Sequence, residues 1–179
     1  MSEENVFNRS NDYKTFTWSA LGDIKSGRGD LGDDMPVLVY RLMQFTMLDV
    51  LSRAYGLDAA NVHFRQAGFL AGSEFVKNNI DLNVPFGPFV SSLQKALHDL
   101  KIGLLRMEEF DPDTGQIVLT IAQDLDCSGL PVTNETVCTY DEGFIAGILE
   151  VYTGKVYDVR EVDCWASGDR VCRFRATCV

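Results

Sequence analysis

Apolar residues crowd the second fifth of the chain. In "VLVYRLMQFTMLDVLSRAYG", Val37, Leu38, Tyr40, Leu42, Met43, Phe45, Met47, Leu48 and Leu51 cover more than one stripe of a helix. A helix apolar on so much of its circumference is buried on several sides or pairs with another subunit, and a homodimer is expected on that ground. Asp33 or Asp34 is placed to cap its start, with Pro36 in the first turn and Gly56 just past the end. A second helix is predicted over 62–78, where Ala67, Gly68, Ala71 and Gly72 form a small-residue face at helical spacing. Small side chains let a neighbouring element approach closely, at some cost in helix propensity. A third helix is predicted over 86–100, stopping before Gly103.

The period then changes. "GLLRMEEFDPDTGQIVLTIAQD" reads as two strands joined by a turn over 111–115. "YDEGFIAGILEVYTG" predicts a fourth helix over 140–152, with acidic residues at its start where the helix dipole favours them. "KVYDVREVDCWASGDRVCRFRATC" predicts a second hairpin turning at Ser167, Gly168 and Asp169. A run of helices, then strands, a helix and strands again is the order of an α+β domain, with helices packed on an antiparallel β-sheet. The expected organisation is an N-terminal extension over 1–33, containing an edge-strand candidate in "FTWSAL", and one domain over 34–179. Gly27, Gly29 and Gly32 match a dinucleotide-binding fingerprint only nominally. The motif needs a buried strand before it and parallel βαβ units around it, and "GDIK" followed by helices supplies neither.

The 46% hydrophobic and 23% charged fractions are those of a globular chain. Its net charge of −10 argues against direct contact with nucleic acid. No apolar run is long enough for a membrane span. The first twenty residues lack a basic start followed by an apolar stretch, so a cytoplasmic location with reduced thiols is expected.

That expectation changes how the five cysteines are read. An odd number in a reducing compartment suits metal ligands or core thiols better than a disulfide framework. Cys164 and Cys172 lie across the predicted turn of the last hairpin, Glu161 is on the strand before it, and Cys138 stands just ahead of the fourth helix. Zinc takes four such ligands in a tetrahedron. Three other readings stay open on spacing alone. The thiols are buried core residues, Cys164 and Cys172 are disulfide-bonded, or one cysteine is a nucleophile, with only His63 and His98 available as base.

The segments "REVDCWASGDRVCRF", "CTYDEGFIAGIL" and "RQAGFLAGSEFV" together resemble the 4-vinyl reductase domain family, over about residues 21–174. The resemblance implies the α+β fold of ligand-binding domains of the NO-signalling and Golgi-transport type, commonly dimerised through helices. It also implies a zinc held by Cys138, Glu161, Cys164 and Cys172, with every position filled by protein, as in a structural site. It further implies a small-molecule pocket between helices and sheet, for which Leu82, Phe86, Phe89, Val90, Leu93, Ile117 and Leu119 supply apolar walls. Cys127 and Cys178 are left over, Cys127 as a packed loop residue, substitute ligand or redox thiol. The expected function is a zinc-containing, non-enzymatic sensor domain that binds an apolar or aromatic molecule and signals to a partner protein. The alternatives are a tetrapyrrole vinyl reductase, for which no acid–base pair or dinucleotide fold is visible, and an adaptor with a filled interior.

Overall fold

The computed structural model describes residues 16–179, so the first fifteen residues of the expected extension lie outside the described residues. The chain runs α1 (Ile24–Gly27), α2 (Val37–Tyr55), α3 (Leu57–Asn79), α4 (Phe86–Asp99), β1 (Leu104–Phe110), β2 (Ile117–Ala122), α5 (Thr139–Thr153), β3 (Tyr157–Asp163) and β4 (Val171–Cys178). The strands form one antiparallel sheet in the order β1-β2-β4-β3, which is the expected α+β class. An antiparallel sheet has no place for a dinucleotide fingerprint, and Gly27, Gly29 and Gly32 lie in a turn.

Two local expectations are corrected. "FTWSAL" ends in a 3-10 turn over Trp18–Leu21 and adds no strand to the sheet, because a short apolar patch with no alternation does not specify extended backbone. The second helix starts five residues early, at Leu57. Gly56, at φ 87°, turns the chain in a single residue, and Asp58 lies in the first turn where the dipole favours it.

The centre of the molecule is the pair α3 and α5, whose backbones touch. A Cβ added at Gly68 would overlap the carbonyl oxygen of Tyr140, and one at Gly72 the carbonyl oxygen of Phe144. The arrangement is reciprocal. A Cβ at Gly143 would overlap the carbonyl of Arg65, and one at Gly147 that of Phe69. The small-residue face is therefore a packing surface. Arg65 fixes the pair further by donating from both Nε and Nη2 to Glu142 Oε2.

Between these helices and the sheet lies the core. Phe89, Val90, Leu93 and Leu97 of α4, with Ile145, Ile148 and Leu149 of α5, face Leu105, Ile117, Leu119, Ile121 and Phe174. Strand register sets the inward rows: Met107, Leu119, Phe174 and Glu161 in one, Leu105, Ile121 and Cys172 in the next. By contrast no residue of α2 is buried, and Leu38, Leu42, Met43, Met47 and Val50 are all more than half exposed.

Candidate metal centre and interior cavity

Four elements deliver sulfur to one point. Cys138 is the N-cap residue of α5. Cys164 leads out of β3 into a 3-10 turn, and its sulfur accepts from the Ser167 N–H. Cys172 lies on β4 opposite Ile121. Cys127 comes from the loop after β2, held there by Asp124, whose Oδ1 accepts the N–H groups of Asp126 and Cys127 at 2.8 and 3.1 Å. The four sulfurs all lie within 4.8 Å of one another, and all four residues are buried. None is disulfide-bonded.

Sulfur separations test whether a metal fits. Zinc–sulfur bonds of about 2.3 Å in a tetrahedron put sulfurs about 3.8 Å apart. Cys138 Sγ lies 3.8 Å from both Cys164 Sγ and Cys172 Sγ, and Cys127 Sγ lies 3.0 Å from Cys172 Sγ. A cluster of this kind could hold a metal ion.

Glu161 reaches the same place through a defect in its strand. Residues three apart on a regular strand face opposite sides. The register of β3 on β4 shifts between Glu161 and Asp163, a bulge of one residue that turns Glu161 and Cys164 to the same side. Glu161 Oε2 accepts the Cys138 N–H at 2.9 Å, while its Oε1 is buried without a partner. Burial pushes this carboxyl up to about 8, against the pull of the Cys138 N–H. The Glu161 N–H in turn donates to Glu142 Oε1 at 2.9 Å. Glu161 is thus beside the sulfurs, and Cys127 is the member that spacing did not bring in. Its neighbours in "DLDCSG" were the available signal. Arg173 turns away and donates to Asp163 at 2.7 Å.

Acidic residues surround the cluster. Asp124, Asp126 and Asp141 are all buried. Burial, then the Asp126 charge, pushes Asp124 up to about 7. Burial also holds Asp141 well above the usual carboxylate range, reinforced by the charges of Asp126 and Asp124. Asp126 accepts from Tyr40 at 2.8 Å and Gln44 at 2.7 Å, and Arg41 donates to the carbonyls of Leu125 and Ser128. One face of α2 therefore grips the loop that carries Cys127.

An apolar cavity of about 30 Å³ lies where α4, α5 and the sheet meet. Of the seven pocket residues expected, Phe86, Phe89, Val90, Leu93 and Leu119 line it, whereas Leu82 and Ile117 do not. Ile117 faces the core at the far end of β2, and Leu82 packs on the edge of the core. Asp141, from the first turn of α5, also lines the cavity.

The sequence matches the 4-vinyl reductase domain over residues 117–178, the stretch that holds Cys127, Cys138, Glu161, Cys164 and Cys172. An uncharacterized protein of Methanocaldococcus jannaschii is 30% identical over 152 residues, 84% of this chain and 82% of that protein. A second from the same organism is 25% identical over 144 residues, 80% of this chain and 76% of that protein. The chain belongs to the 4-vinyl reductase domain family.

Solved structures share the fold at low identity. A vinyl-4-reductase family protein of M. jannaschii superposes with a TM-score of 0.58 at 16% identity, over 83% of this chain and 85% of that one. The phenol-responsive sensory domain of the transcription activator PoxR, solved with phenol, gives 0.63 at 14% over 82% and 78%. Trafficking protein particle complex subunit 3 of Naegleria fowleri, covalently bound to palmitic acid, gives 0.62 at 13% over 80% and 95%. Among the described residues, no helix is long and apolar enough to cross a membrane.

Proposed function

We propose that this chain is a zinc-containing, non-enzymatic sensor domain that binds an apolar or aromatic small molecule. The observation that carries the reading is the apolar cavity at the seam of α4, α5 and the sheet, in a fold shared with a sensory domain solved with phenol. A volume of about 30 Å³ admits a water-sized group and not an aromatic ring. Ligand entry therefore requires a side chain to move. Phe86 is the candidate, since it is only partly covered and stacks on exposed Phe110 at 4.3 Å between centroids.

Cys138, Cys164 and Cys172 are the proposed core of the zinc site. The family resemblance makes Glu161 the fourth ligand, whereas the sulfur geometry favours Cys127, and we adopt the four-sulfur arrangement with Glu161 bracing Cys138 from behind. With all four ligands from the protein, zinc would supply cross-linking and folding free energy, not an open position for chemistry. The exposed apolar side of α2 supports a homodimer, and a reducing, cytoplasmic setting would keep the thiols available as ligands. A signalling partner would read a change in helix packing for which the ligand has unequal affinity.

The small volume also favours a second reading, a non-catalytic adaptor with a filled interior. Calorimetric titration of the purified chain with phenol separates the two. Heat and a raised Tm are expected in the wild type, and both are lost in Leu93→Trp, which fills the cavity. Absence of heat with phenol, indole and a vinyl porphyrin sinks the sensor reading and leaves the adaptor.

A further inference from the structure

A second compartment adjoins the apolar cavity on the side of α2. It measures about 140 Å³ and is bounded by Tyr40, Ile102, Leu125, Asp126, Tyr140, Asp141 and Phe144. Ile102, Asp141 and Phe144 are walls of both spaces. The size is close to the roughly 150 Å³ of an apolar cavity known to accept benzene, so one ring or a short chain fits without rearrangement.

The chemistry of its walls narrows the occupant. Asp141 is 8% exposed, and its Oδ2 has no hydrogen-bond partner. An unpaired buried carboxylate oxygen is costly unless something else satisfies it. Asp126, also in the wall, already accepts from Tyr40 and Gln44. No lysine or arginine lines the compartment, and the nearest guanidinium, Arg41, is committed to the carbonyls of Leu125 and Ser128. The missing component is a hydrogen-bond donor with positive charge. Ile102, Leu125 and Phe144 require that the rest of it be apolar. The chain's net charge of −10 would draw such a cation in.

We propose that this compartment binds a small organic ammonium ion, its nitrogen donating to Asp141 Oδ2 and its apolar part lying against Ile102, Leu125 and Phe144. The inference goes beyond the sensor reading and needs no movement of Phe86. Asp141 also lies within 4.8 Å of donor atoms of Asp124 and Cys138, so an inorganic cation is the competing occupant that the experiment must separate.

The test is titration of the full, metal-loaded chain with benzylamine, benzyl alcohol and benzoate. Benzylamine is expected to bind, benzyl alcohol at least tenfold more weakly, and benzoate not at all. Asp141→Asn is expected to weaken benzylamine at least tenfold and leave benzyl alcohol unchanged. Carboxyl ¹³C NMR of the wild type tests the same contact without a variant, since the Asp141 resonance should move on adding benzylamine. Equal affinity for amine and alcohol, benzylamine affinity unaltered in Asp141→Asn, or an Asp141 resonance that answers only to added zinc overturns the proposal. Phenol binding without benzylamine binding overturns it and leaves the sensor reading standing. Benzylamine binding without phenol binding does the reverse.

Discussion

Two helices of similar apolar content are used in opposite ways. α5 is buried along most of its length, with its backbone against that of α3 and its N-cap residue beside three other cysteine sulfurs. α2 is apolar around its circumference and buries nothing fully, though it grips one loop with Tyr40, Arg41 and Gln44. Glycine accounts for the difference. Gly143 and Gly147 let α5 reach its neighbour at backbone distance, whereas α2 has no glycine and presents whole side chains outward. Apolar content alone does not say whether a helix is core or docking surface. The spacing of its smallest residues does.

The largest effect expected from breaking this contrast is at the sulfurs. Cys164→Ser should lose bound zinc by elemental analysis and unfold at much lower temperature, since structural zinc is worth on the order of 10 kcal/mol in small sites. Comparing Cys127→Ser with Glu161→Gln identifies the fourth ligand. X-ray absorption of the wild type is expected to show four sulfurs, and only the serine variant should change that shell.

Gly143→Ala comes next. Intrinsic propensity predicts a gain of up to about 1 kcal/mol, because alanine is the better helix former. The overlap with the Arg65 carbonyl reverses the sign, and a loss of about 1–3 kcal/mol is expected in urea unfolding. A neutral outcome would mean that the two backbones do not touch at this point.

A pH effect follows from Asp124. Its folded value near 7 lies above the ordinary 3.8, so between those values the folded chain binds the proton and the unfolded chain does not. Stability should therefore fall as pH rises from about 4 to about 7. Asp124→Asn keeps an oxygen for the Asp126 and Cys127 N–H groups and should flatten that slope in thermal melts.

The smallest effect on folding is expected on α2. Leu42→Glu, at a site 57% exposed, should alter monomer stability by no more than about 0.5 kcal/mol while converting a dimer to monomer in light scattering.

Much of this contrast was legible from residue order. The period change after Gly103, the Asx turn at Asp111 and the i, i+4 glycines of α3 are local signals, and the fold class followed from them. Cys138, Cys164 and Cys172 could be grouped because hairpin and helix-cap geometry are also local. Cys127 could not. Its position depends on a loop pinned by side chains more than eighty residues earlier, a tertiary fact with no periodicity. Asp141 was read as a partner of the helix dipole, because the first turn of a helix explains an acid without reference to any cavity. Gly143 and Gly147 had an evident partner face on α3 only once the two helices were seen to touch.

The grip of α2 on the loop over 124–128 carries a thermodynamic obligation. Tyr40, Arg41 and Gln44 hold the same short segment that presents Cys127, while the opposite side of that helix is open to a second chain. Linkage is symmetric, so if loading the sulfurs with metal stiffens the segment and favours subunit pairing by some factor, pairing must tighten the hold on the metal by the same factor. Dilution to monomers would then make the ion easier for a chelator to remove.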